Sequence, residues 1–167
     1  MGNRATSRSL CFLAVTVFRF WGSWVFLLPM GAIAQGVEDL AQLEAQGVQL
    51  FSASRLAKAE PLFKRSLAIR EKELGPNHPS VAESLGRLGG LYVTLGRLGD
   101  AEPLFKRSLA IYEKELGPNH PSVANSLGRL GDLYLRQGRL GEADPLLKRS
   151  LAIYEKELGP NHPSVAN

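Results

Sequence analysis

Residues 101–142 read AEPLFKRSLAIYEKELGPNHPSVANSLGRLGDLYLRQGRLGE, and the 42 residues before them, 59–100, are nearly the same text. The text restarts at Ala143 and runs to Asn167, differing from 101–125 only at Asp144 and Leu147. Copies at a fixed period mean a repeat architecture, in which each unit buries its apolar face only by stacking on its neighbours.

Each copy carries two helical patterns. Val81, Leu85, Leu88, Tyr92 and Leu95 recur at steps of three and four, one face of a helix, and Gly96 follows where a left-handed cap belongs. A second helix is expected to start near Asp100, with Ala101, Leu104, Phe105, Ser108, Tyr112 and Leu116 as its apolar stripe and Pro103 in its first turn. Glu102 and Lys106 stand four apart in the favourable order. Leu116-Gly117-Pro118 ends this helix, and Asn119 or His120 caps the next one, with Pro121 in its first turn. The short turn Gly96–Asp100 forces an antiparallel hairpin, and small residues at Ala101 and Ser108 are expected to face Gly89 and Leu88. Hairpins are expected at about 38–74, 80–116 and 122–158, with residues 163–167 opening a fourth first helix. Val37–Ala53 is a degenerate first helix that keeps Leu43, Gly47 and Leu50 but has Gln46 where a leucine stands in the other copies. An outer face that meets water accounts for such a terminal unit.

Leu85, Leu88-Gly89, Tyr92, Ala101, Phe105 and Ser108, repeated as Leu127, Leu130-Gly131, Tyr134, Ala143, Leu147 and Ser150, resemble the tetratricopeptide repeat signature over roughly residues 38–167. The longer period and the LGPNHP loop make the units similar to those of kinesin light chain and of many bacterial proteins. The resemblance implies an all-α, right-handed solenoid of stacked hairpins that binds a protein or an extended peptide in an inner groove. In that family the ligand contacts come from exposed positions of the first helices. On this chain they fall at Glu83, Gly86, Arg87, Gly90, Val93 and Thr94, and again at Asn125, Gly128, Arg129, Asp132, Leu135 and Arg136. The Asn-Asn pair of many such repeats is replaced by Gly86-Arg87 and Gly128-Arg129, a departure from the usual clamp. Arginines in this row suit an acidic partner.

Residues 1–34 differ in kind. Arg4 and Arg8 precede two apolar runs, and Ala32-Ile33-Ala34 before Gln35 fits the small-x-small cleavage rule. This reads as a signal peptide cleaved between Ala34 and Gln35, leaving an exported repeat domain, 35–167, in the periplasm or secreted. The alternative is a membrane anchor over residues 10–34, against which Arg19 in mid-segment would cost about 2.5–3.5 kcal/mol. Three of the 20 basic residues, Arg4, Arg8 and Arg19, lie in the leader, so 17 remain against 16 acidic ones. A net charge this small excludes a nucleic-acid footprint. Cys11, the single cysteine, also lies in the leader, which excludes a disulfide framework and a cysteine nucleophile in the repeat domain.

Catalytic constellations are missing from the pattern. His78, His120 and His162 occur once per repeat in the same loop, spread along the array, so they do not converge on a metal. Glu113 and Glu115 stand two apart on a helix and face different ways. The glycines stand at helix ends and contacts rather than in a phosphate loop. The chain is expected to be non-enzymatic, without metal or cofactor. The pairs Lys64-Arg65, Lys106-Arg107 and Lys148-Arg149 are expected to be solvated. The stripe of Ala143–Leu158 lacks a following neighbour. That is expected of a fragment of a longer array, with a C-terminal enzymatic domain (peptidase-like or signalling) as the alternative, or of a partner or self-association on the C-terminal face.

Overall fold

The computed structural model describes the backbone of residues 30–158 and the side chains of residues 40–157. Within them six helices follow one another with no strand: α1 (Met30–Ser52), α2 (Leu56–Leu74), α3 (Pro79–Thr94), α4 (Leu98–Leu116), α5 (Pro121–Arg136) and α6 (Leu140–Leu158). Each helix packs on its neighbours in sequence, giving the three stacked hairpins that the repeat demands. Residues 1–29 of the leader, His162 and the opening 163–167 lie outside the described residues, and Ala34 and Gln35 fall in the first turns of α1.

The helix starts and stops follow from local chemistry. His78 and His120 are the caps: each Nδ1 accepts the amide of the residue two further on, Ser80 or Ser122, at 3.1 Å, with Pro79 or Pro121 in the first turn. No Gly-Pro-Asn-His-Pro segment precedes the first hairpin, and α1 begins at Met30, well ahead of the expected residue 38.

The turn inside each hairpin is tighter than expected. Leu95–Arg97 alone connects α3 to α4, so Gly99 and Asp100 are already helical. Gly96 adopts φ 73°, its amide bonds to the Val93 carbonyl, and the Arg97 amide bonds to the Tyr92 carbonyl, a Schellman closure. Gly138 and Arg139 repeat it, whereas in the first hairpin a serine, Ser54, is forced to φ 56°. Because α4 starts at Leu98, Pro103 lies past its first turn, inside the helix, as do Pro61 and Pro145 in α2 and α6.

Core packing corrects one expected pairing. Gly89 faces Phe105 rather than Ala101: a Cβ on Gly89 would meet the Phe105 ring at 2.6 Å. Ser108 sits further along and donates to the Ala82 carbonyl at 2.7 Å, as Ser150 does to Ala124. Ala101 and Ala143 are fully buried, so the two helices of each hairpin run in close contact. Leu91 and Leu133 are buried almost completely, contributing on the order of 2 kcal/mol each. Gln46 and Gln49 of α1, at the positions of Leu88 and Leu91, are exposed, which makes that end a polar cap.

Candidate peptide-binding groove

Stacking sets up polar links with the period of the sequence. Arg97 lies over the Tyr92 ring, 4.2 Å from its centre, and reaches Glu60 of the preceding hairpin at 3.1 Å. Arg139 over Tyr134 does the same to Glu102 at 2.8 Å. Glu102 is held by Lys106 at 2.7 Å, by Arg139 and by the Tyr134 hydroxyl. The Lys106 contact first, then Arg139 and Tyr134, lower its carboxyl from the ordinary 4.5 to about 2. Arg107 crosses to Glu71 and to the Pro76 carbonyl, and Arg149 crosses to Glu113 and to the Pro118 carbonyl. The expectation that the Lys-Arg pairs are merely solvated therefore fails for Arg107 and Arg149, each of which joins its repeat to the one before, whereas Arg65 is exposed.

The first-helix row divides into two environments. Arg87 pairs with Glu44 of α1 at 3.3 Å and with Glu83 one turn away. Glu44 also accepts from Arg70 at 2.7 Å and from the Ser66 hydroxyl at 2.8 Å. Arg70 bonds Ser84 as well, so Glu44, Arg70, Glu83 and Arg87 form a self-neutralised cluster across three helices. Arg129 occupies the same repeat position but finds Gly86 where Arg87 finds Glu44. Its Nη1 donates to the Gly86 carbonyl at 3.0 Å and its Nε donates to the Asn125 side chain at 2.9 Å. Both acceptors are neutral, and among the described residues no carboxylate lies within ion-pairing distance of Arg129. A guanidinium has five N–H donors, so most of this fork stays available while its direction is fixed.

Arg129 borders a groove cavity of about 350 Å³ together with Arg87, Gly90, Val48, Phe51 and Phe63. Val48 and Phe51 are 49% and 37% exposed, an apolar wall beside the cation. Gly90 forms open floor: the nearest side-chain atom to a Cβ there is Arg129 Nη1, at 3.9 Å. Asn125, Gly128, Arg129, Asp132 and Leu135 border a second cavity of about 640 Å³ that reaches the α6 face. The remaining expected contacts take other places. Glu83 is spent in the cluster, Val93 packs against the core, Thr94 bonds the Gly90 carbonyl, and Arg136 is exposed at the end of α5.

The sequence reading missed Val48, Phe51, Glu44 and Arg70. A signal for the last two existed: Glu44 and Arg70 break the repeat, standing where the other copies have Gly86 or Gly128 and Tyr112 or Tyr154. Two opposite charges intruding on one hairpin predict their own pairing.

A tetratricopeptide repeat model matches residues 39–114, 93–156 and 122–167. The chain belongs to the tetratricopeptide repeat family. Among solved structures, a protein of Podosopora anserina with nearly identical TPR-like repeats, assigned to the kinesin light chains, is 30% identical with TM-score 0.69, over 75% of this chain and 60% of that one. The TPR domain of Arabidopsis FLU, 20% identical, superposes with TM-score 0.64 over 73% of this chain and 99% of that one, a likeness of fold alone. Nephrocystin-3 of Xenopus tropicalis is 43% identical over 63 residues, 35% of this chain. The chain spans only 5% of that curated relative. The repeats are thus of the kinesin-light-chain kind, a helical scaffold of the sort that joins proteins to one another.

Proposed function

We propose that this chain is a non-enzymatic scaffold whose groove holds an extended peptide or protein segment carrying a carboxylate beside a bulky apolar side chain. The supporting observation is Arg129, oriented by two neutral acceptors and lacking a carboxylate partner among the described residues, next to the exposed Val48 and Phe51. A ligand carboxylate would complete the fork bidentately, and the apolar neighbour would cover the α1 wall. Arg87 has no such role, because Glu44 and Glu83 already neutralise it.

Fluorescence anisotropy with labelled peptides carrying Leu-Glu, and the same peptides carrying Leu-Gln, tests this. Arg129→Gln weakens the Leu-Glu peptide about tenfold and removes its advantage over the Leu-Gln twin. Arg87→Gln leaves affinity unchanged and lowers the unfolding temperature, since it strips a cation from Glu44, whose side chain is only 15% exposed. Equal losses for the two arginines, or none for either, refute the reading.

Residues 1–34 as an export signal fit a scaffold that works outside the cytoplasm. The mass of the protein recovered outside the cytoplasm should begin at Gln35, and retention of residues 1–34 would make the membrane anchor the better account. A second reading draws on the short share of its relatives that the chain spans: the repeats serve as the regulatory part of a longer protein with an enzymatic domain. The coding sequence beyond Asn167 decides it.

A further inference from the structure

The face that α1 and α2 turn away from α3 and α4 carries a row of cations whose counterparts in the other hairpins are all paired. Arg55 holds the repeat position of Arg97 and Arg139, and Arg65 holds that of Arg107 and Arg149. Those four arginines reach back to carboxylates of the hairpin before. Arg97 meets Glu60 at 3.1 Å, Arg107 meets Glu71 at 2.6 Å, Arg139 meets Glu102 at 2.8 Å and Arg149 meets Glu113 at 2.6 Å. Arg97 and Arg139 are also held from their own helices, by Asp100 at 2.7 Å and Glu142 at 2.6 Å. The residue at that position in α2 is Lys58. Charges that cancel at the start of α4 and α6 therefore add at the start of α2. Arg55, Lys58 and Arg65 are all exposed, and among the described residues none has a carboxylate within ion-pairing distance.

The covered hairpins show what such a row receives. Glu60 and Glu71 stand eleven residues apart on α2, and Leu67 between them packs with Leu104 of α4 on one apolar cluster. Glu102, Leu109 and Glu113 repeat this against α6, with Leu146 as the packing partner. The N-terminal arginine meets the N-terminal glutamate each time, so the two helices run parallel. The arginines are ten residues apart, about 15 Å along a helix, and the glutamates eleven, about 16 Å. On α2 the same row is complete: half-buried Leu62 lies between Arg55 and Arg65, where Leu104 lies between Arg97 and Arg107.

A further hairpin of this repeat is the wrong occupant. Leu88 and Leu91 are buried in one cluster with Ala59 and Phe63 of the hairpin before, whereas α1 has exposed Gln46 and Gln49 at those positions. A hairpin laid over them would bury two amides without partners. The glutamines instead border an open hollow of about 390 Å³ with Leu50, Ala53 and Arg55. The repeat also offers two carboxylates to two arginines, one too few for Arg55, Lys58 and Arg65 together.

We propose that the exposed side of α2 docks a single acidic amphipathic helix of a partner protein, laid parallel to α2, with carboxylates on Arg55, Lys58 and Arg65 and a leucine on Leu62. The inference does not rest on the groove reading, because these residues lie on a different face from the cavity beside Arg129.

Fluorescence anisotropy of the 167-residue protein with a labelled, hydrocarbon-stapled helix tests it. The helix carries leucine at its eighth position and glutamate at its first, fourth and twelfth, the spacing of Glu60, Leu67 and Glu71 with one acid added for Lys58. It binds about tenfold more tightly than a twin with glutamine for each glutamate, and the advantage shrinks as salt rises. Arg55→Glu with Arg65→Glu abolishes the advantage. Lys114→Glu with Lys156→Glu, at two exposed lysines of the other hairpins, makes the same change of net charge and preserves it. Equal binding of the twins overturns the proposal, and so does an equal loss from the lysine pair, since net charge would then be the cause. Unchanged binding when the peptide's leucine becomes glutamine overturns it too. Two other occupants would also overturn it. One is a bilayer, shown by vesicles of phosphatidylglycerol and phosphatidylcholine that hold the protein and release it on Arg55→Glu with Arg65→Glu. The other is a second copy, shown by a concentration-dependent dimer in sedimentation that the same substitutions abolish.

Discussion

Gly89 and Gly90 are neighbours in one helix, and alanine at the two positions should have opposite effects. Either substitution relieves the helix of a glycine, worth about 1 kcal/mol. At Gly90 nothing opposes that gain, since the nearest side-chain atom to the new methyl, Arg129 Nη1, is 3.9 Å away. At Gly89 the methyl would sit 2.6 Å from Cε1, 2.9 Å from Cδ1 and 3.0 Å from Cζ of Phe105. Ordinary carbon contacts are about 3.5–4.0 Å, so the ring must withdraw by roughly 1 Å. Phe105 is 3% exposed and packs in the same cluster as fully buried Ala101, so it has little room to go. Overpacking of this kind costs about 1–3 kcal/mol, which leaves a net loss of about 1 kcal/mol after the helical gain. The two variants should differ by about 2 kcal/mol, or roughly 8 °C in unfolding midpoint for an array of this size. Thermal and urea unfolding of Gly89→Ala and Gly90→Ala, side by side, measure it. If Gly89→Ala is as stable as Gly90→Ala, the close approach of α3 to α4 is not what fixes the hairpin. Gly131→Ala should lose less than Gly89→Ala, because its obstacle at 2.6 Å is the half-buried, flexible Leu147.

Ser54→Gly should stabilise the protein by about 1 kcal/mol, read as a higher urea midpoint, because Ser54 occupies the left-handed conformation that Gly96 and Gly138 adopt in the other hairpins. His120→Ala should cost about 1 kcal/mol through loss of the cap on the Ser122 amide, and His120→Asn should recover most of it; an unchanged midpoint for alanine would discard the capping role. Stability should fall as pH drops from about 4.5 towards 2, since Glu102 stays ionised in the folded protein down to about 2 while its unfolded counterpart takes up a proton near its ordinary value. Glu60, lowered chiefly by Lys64 and further by Tyr92 and Arg97, adds to that fall, and the double variant Glu60→Gln, Glu102→Gln should flatten the pH dependence of the midpoint across this window.

The period, the hairpin order and the six helices of the described residues are legible in the residue pattern alone. Those depend on local matters: apolar spacing, glycine and proline at the breaks, and histidine caps that act within two residues of themselves. The pattern also marked the likeness to tetratricopeptide repeats and the row of first-helix positions around Arg87 and Arg129. Local details differ from the expectation in the start of α1, at Met30, in the turn and in the place of the prolines. The turn closes within Leu95–Arg97, because the Schellman bonds need only Gly96 and the residue after it, and the prolines consequently sit deeper in their helices. Only the tertiary structure decided what each groove arginine does. Arg87 and Arg129 have the same neighbours in sequence, Gly before and Leu after, yet one is neutralised and the other is not. Each reaches 43 residues back to the previous first helix, where Arg87 meets the Glu44 carboxylate and Arg129 meets the Gly86 carbonyl. A charge partner at that separation is chosen by how the hairpins stack, which no local pattern of residues encodes.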